Sequence, residues 1–160
     1  MEIPKSMKTN ILILLLALLP SLSATAQTGL FERYSHHEGV RVAEVDGFKL
    51  DSATAVNVLV IEADSPDGWR WMQREFAIGE PAPEQQRDLL AGNDVVLFAQ
   101  RDRNQPGKPA PVVGETVDAV GSCYLGISYL SHTVFVFTPR TQAEADVVVA
   151  FLVRKMLRLQ

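Results

Sequence analysis

The chain has 160 residues, of which 47% are hydrophobic and 21% charged, and it carries a formal net charge of −4. Those proportions belong to one ordinary globular domain rather than a disordered tract. No cationic surplus is available to grip nucleic acid, and one cysteine, Cys123, makes neither an intramolecular disulfide nor a cysteine-based zinc site.

Lys5 and Lys8 precede a 12-residue apolar run, Ile11 to Leu22, that contains Pro20. A bilayer-spanning helix needs about 20 residues, so the run is too short to cross a membrane. Ala24 and Ala26 stand at −3 and −1 of an A-x-A site before Gln27. Basic start, short apolar middle and small-residue end read as a secretory signal peptide over 1–26, cleaved to leave a domain over 27–160. Removing Lys5, Lys8 and Glu2 from 15 cations and 19 anions leaves 13 and 18. No span is expected after signal removal, and the expected location is the periplasm or the cell exterior.

Leu30, Phe31 and Tyr34 share a face of a short helix. Val40–Val45 and Thr54–Ile61 read as two strands of a hairpin, with Asp46-Gly47 as a turn signal between them. Asp64-Ser65-Pro66-Asp67 starts a helix: a polar cap, proline in the first turn, and an acid at the positive end of the dipole. Trp69, Met72 and Phe76 form its apolar stripe, with Trp71 off it. A second short helix runs from Pro83 to Ala91. Val95–Ala99 reads as a buried strand, and 101–111, with three prolines and a glycine, as an exposed loop. Two or three strands fit between Val112 and Phe137, most clearly His132–Phe137. Thr141-Gln142-Ala143-Glu144 is a capping box opening a helix to about Leu159, with Val149, Leu152, Val153 and Met156 expected in the core and Phe151 at the margin. The pattern is α+β: one mainly antiparallel sheet, helices packed on one face, and a C-terminal helix.

No catalytic template is complete. His36-His37-Glu38 offers metal-ligating groups, but adjacent histidines diverge on a helix and no H-x-x-x-H spacing occurs, so no metal site is assigned. Cys123 and His132 are a possible thiol and base, which would make the chain a small hydrolase or thiol-dependent enzyme if the fold brings them together. Gly126-Ile127-Ser128-Tyr129-Leu130 lacks the second glycine of a nucleophile elbow. No phosphate loop, dinucleotide fingerprint or calcium loop occurs, and no cofactor is implied. Trp71, about 200° round the helix from Trp69, could stack on a sugar or grip a peptide, which would make the chain a carbohydrate or peptide binder. The residues favour a non-catalytic binding or envelope-associated module, its partner a protein or a glycan.

The signal segment from Met7 to Gln27, followed by Leu30-Phe31-Glu32-Arg33-Tyr34-Ser35 and Glu38-Gly39-Val40, resembles uncharacterised small exported proteins of Bacteroidota. The strand–Gly–strand arrangement from Val42 to Ile61 and the Pro66 helix are similar to them too. The resemblance implies a diderm bacterial source and an exported protein, and it carries over no functional residue.

Overall fold

The structure, a computed structural model, describes residues 29–158, with side chains to Arg154. The signal segment with Ala24, Ala26 and Gln27, the side chain of Met156, and Leu159 lie outside the described residues.

Five strands form one antiparallel sheet in the order β1-β2-β7-β6-β3. They are β1 (Val40–Lys49), β2 (Ala55–Ala63), β3 (Val96–Asp102), β6 (Ser122–Ser128) and β7 (Thr133–Phe137). A two-stranded arm, β4 (Val112–Val113) with β5 (Thr116–Val117), leaves β3 beside the sheet. The helices are α1 (Leu30–Ser35), α2 (Pro66–Glu75), α3 (Pro83–Leu90) and α4 (Gln142–Arg158). The α+β class, the antiparallel sheet and the C-terminal helix are therefore as the residues lead one to expect.

The helices do not share a face. Alternation along the central strands sends Leu59, Ile61, Leu125, Ile127, Val134 and Val136 to one side, where Leu30 and Tyr34 of α1 and Trp69 and Met72 of α2 cover them. Val56, Val58, Val60, Tyr124 and Phe137 point to the other side, under Ala145, Val148 and Leu152 of α4. Both faces of the central strands are apolar, so both need a lid, and a helix on one side alone would leave the other wet.

Four local expectations need correction. Asp46-Gly47 is not the hairpin turn. β1 runs through it with a register shift between Val45 and Phe48, a bulge that Gly47 permits with φ +73°. The chain reverses at 50–54, where the Asp51 carboxylate accepts from the amides of Ala53 (2.8 Å) and Thr54 (2.7 Å). β3 is half-buried along its length rather than buried, because it is an edge strand with one neighbour, β6, in the sheet. The third correction concerns α4, whose buried residues are Ala145, Val148 and Leu152; Val149 is half-buried and Val153 is 42% exposed. The helix is apolar nearly all round, so hydrophobicity cannot choose its inner face. The sheet chooses it instead: Gly126 leaves a gap that Leu152 fills, its Cδ2 only 3.0 Å from where a Cβ would stand. Fourth, the capping box is half made. Glu144 N–H donates to Thr141 Oγ1 at 3.1 Å, but the Glu144 carboxylate reaches the amide of Arg140 (3.4 Å) rather than that of Thr141.

The start of α2 follows the sequence closely. Ser65 caps it, accepting from Gly68 N–H at 3.0 Å, Pro66 occupies the first turn, and Trp69, Met72 and Phe76 are buried. Gly68 is required by packing: a Cβ there would stand 1.9 Å from the carbonyl oxygen of Gly39.

Candidate functional site

The fold separates the proposed thiol and base. Ser128 pairs with Thr133 at the closed end of the β6–β7 hairpin, and His132 lies in the turn beyond them. Cys123 sits at the opposite end of β6, so about 17 Å of strand lies between them. The thiol is fully buried, donates to the carbonyl of Asp102 at 3.4 Å, and is pushed up to about 12, chiefly by burial and then by the Asp102 carboxylate. It is a buried, protonated core group, so the Cys123/His132 enzyme reading has no geometric support.

The aromatic candidates are paired within the fold. The His132 ring lies parallel on Trp69, with centroids 4.7 Å apart, and burial lowers the pKa of the imidazole. Its φ of +51° comes with the four-residue turn, which Asp94 braces by accepting from Ser128 Oγ (2.6 Å) and Leu130 N–H (2.8 Å). Trp71 is half-buried. His37 stacks on its face at 3.7 Å, and Tyr34 meets it edge-on at 5.8 Å. One face of the indole is thus covered by the histidine. His36 pairs with Glu32 at 3.5 Å on the exposed side of α1, and among the described residues no group of three metal-ligating side chains is assembled.

Two open clefts lie at the two ends of α2. The first, about 480 Å³, is lined by Arg41, Ala63, Asp64, Ser65, Pro66 and His132. Much of its polar lining is already engaged: Arg41 bonds to Glu62, Ser65 caps α2, the Asp64 amide donates to the carbonyl of Gly39, and His132 stacks on Trp69.

The second cleft, about 460 Å³, is lined by Arg33, Glu75, Gln105, Pro106, Gly107 and Lys108. Three separate segments build it. Arg33 lies in the last turn of α1, with its guanidinium carbon 5.8 Å from the centre of the Tyr34 ring. Glu75 ends α2. The third wall is the 103–111 loop, which is firmly held. The Asp102 carboxylate accepts from the amides of Asn104 (2.8 Å) and Gln105 (3.1 Å), and Lys108 N–H donates to the carbonyl of Gln105 at 2.8 Å. Gly107 lets this loop press on α2, since a Cβ there would stand 2.2 Å from the carbonyl oxygen of Glu75. Arg101 ties β3 to the same helix end, donating to the carbonyls of Phe76 (3.2 Å) and Ala77 (3.3 Å).

Tyr34 does not line the cleft; it is fully buried next to it, and its hydroxyl interacts with Arg33 and Glu75 without a hydrogen bond within 3.5 Å among the described residues. Burial raises it to about 12; the neighbouring Arg33 pulls down and the neighbouring Glu75 pushes up. Arg33, Glu75 and Lys108 form no ion pair within 4 Å among the described residues. Charges of both signs thus line one concave surface, with Arg33 and Glu75 both beside the buried Tyr34 hydroxyl.

Sequence reasoning places Tyr34 on a helical face but not at a site, and it treats 101–111 as an exposed loop. The missed signals are Asp102 ahead of the loop, which sets an Asx turn, and Gly107 within it. Comparison of the chain with family models, with curated proteins and with solved structures finds no match.

Proposed function

We propose that this chain is an exported, non-catalytic binding module whose ligand site is the cleft between α1, the end of α2 and the 103–111 loop. The observation that carries the reading is the convergence of Arg33, Glu75 and Lys108, from three separate segments, on one cleft. The loop wall supports it, because Asp102 turns its backbone and Gly107 packs against the end of α2. Export rests on the signal-like segment before Gln27, and among the described residues no helix is long and apolar enough to cross a membrane.

Thermal unfolding of the mature chain against a panel of small polar compounds tests the reading. At least one compound class is expected to raise the Tm saturably in the wild type. An Arg33→Ala/Lys108→Ala variant, altered at exposed positions, should keep its unliganded Tm and lose that rise. Equal rises in both proteins would place the binding elsewhere, and no rise across the panel would remove the function. Sequencing the N-terminus of protein recovered from periplasm or medium tests export: a start at Gln27 is expected, and an intact Met1 or Met7 form in the membrane would overturn it.

A further inference from the structure

The two edge strands of the main sheet, β1 and β3, are built differently. β1 carries Arg41, Glu44, Asp46 and Lys49 and is bent by the bulge between Val45 and Phe48. Charges and bulges of this kind keep an edge from pairing with another chain. β3 runs in unbroken register with β6 from Val96 to Asp102, and residues 95–100 hold no charge and no proline. Its bonding phase is fixed at both ends. Val95 accepts from Tyr129 N–H (3.1 Å) and Arg103 N–H donates to the carbonyl of Gly121 (2.9 Å), so odd-numbered residues bond towards β6. Asp102 N–H donates the other way, to the carbonyl of Lys108 (3.0 Å). Alternation therefore turns the N–H and C=O groups of Val96 and Phe98 away from β6. The 103–111 loop covers this outer flank only from Arg101, which bridges to Pro109. Among the described residues nothing bonds to the outward main-chain groups of Val96 and Phe98.

Unpaired groups at this spacing are completed by the backbone of another extended strand. We propose that two copies of this chain pair through this edge, β3 against β3 about a two-fold axis, joining their sheets into one. The axis sets the two strands antiparallel and lays an uncharged run against itself, so no charge is buried or opposed there. It also keeps the faces in line: Leu97 and Ala99 continue one apolar side across the junction, and Phe98 continues the other. The second β3 supplies the neighbour whose absence leaves the strand half-buried. Pairing consumes the open edge of the main sheet, and the charged, bulged β1 edge stops growth at a dimer. The proposal is independent of what the cleft binds.

Sedimentation equilibrium of the mature chain should show a reversible monomer–dimer equilibrium. Amide hydrogen exchange locates the contact. Raising the protein concentration through the dissociation constant should slow Val96 and Phe98 at least about tenfold, and should change Leu97 and Ala99, already bonded to β6, far less. Val96→Pro removes an outward N–H that the monomer does not use, on the side of an edge strand where proline is tolerated. That variant should keep the fold of the monomer and weaken dimerisation at least about tenfold. Should the proline unfold the chain, the exchange pattern of the wild type still decides. A monomer at every concentration overturns the proposal. A dimer of undiminished affinity in folded Val96→Pro also overturns it, as does a dimer whose Val96 and Phe98 amides exchange no more slowly than in the monomer.

Discussion

Over one face of the sheet, α1, α2 and the loops at 77–82 and 103–111 meet as separate pieces; over the other, α4 lies across Gly126 and its neighbours, with Leu50 and Ala119 packed beside them. The first face needs polar ties where the pieces join, such as Tyr129 Oη donating to the carbonyl of Gly79 (2.5 Å) and Arg101 donating to the end of α2. The second is closed by aliphatic contacts and by rings such as Phe137 and Phe151, 6.0 Å apart, with polar ties only towards β3, where Gln100 Nε2 donates to Tyr124 Oη (3.2 Å) and Ser122 Oγ (3.1 Å). Both clefts open at ends of α2, where segments meet. A seam between separate pieces exposes helix ends and leaves side chains of opposite charge near one another; a single continuous helix covers its face without that opportunity. The comparison teaches that the patchwork face is the one with room for a ligand.

The strongest way to break the comparison is to empty each face in turn. Phe76→Ala on the patchwork face should cost about 3–5 kcal/mol, and Leu152→Ala under α4 about 2–5 kcal/mol, as both side chains are buried. Urea titrations of the two variants measure this. A near-zero cost at Leu152 would make α4 peripheral and remove the second face from the core.

A sharper probe of the patchwork face is its buried thiol. Cys123 ionises near its ordinary 9.0 when unfolded and only at about 12 when folded. Between those values the unfolded chain has released the proton and the folded chain has kept it. Raising the pH therefore favours unfolding, by about 1.4 kcal/mol per pH unit from this group. Tyr34, raised from 10.0 to about 12, acts in the same direction over its higher window. Between pH 8 and pH 10.5 the wild type should lose about 2 kcal/mol more than Cys123→Ala, read from urea midpoints. Equal losses would mean that the thiol is open to water. Smallest of all, Val153→Ala on the outer side of α4 should change stability by less than about 0.5 kcal/mol, because the residue is 42% exposed. A large loss there would show that α4 is covered on both sides.

The candidate site was the least legible part of the chain. Arg33, Glu75 and Lys108 are distant in sequence and match no spacing motif, since each belongs to a different segment. The residues that do stand out as chemistry are absorbed by the fold: Cys123 into the core, His132 into a turn stacked on Trp69, and Trp71 under His37.

Local chemistry determined the elements. The cap Ser65 with Pro66 starts α2, the stripe Trp69, Met72 and Phe76 fixes its inner face, and β-branched runs such as Val56–Ile61 make strands, because each depends on neighbours within a few residues. Tertiary structure decided the arrangement: which side each helix covers, which way α4 is turned, and where charges meet. For α4 the reason is plain. Val147, Val148, Val149, Phe151 and Leu152 are all apolar, so periodicity offers no preferred face, and the gap at Gly126 selects Leu152. The cleft has the same kind of origin, because Gly107 can bring Lys108 to the end of α2 only once β3 and its loop have come to lie beside that helix.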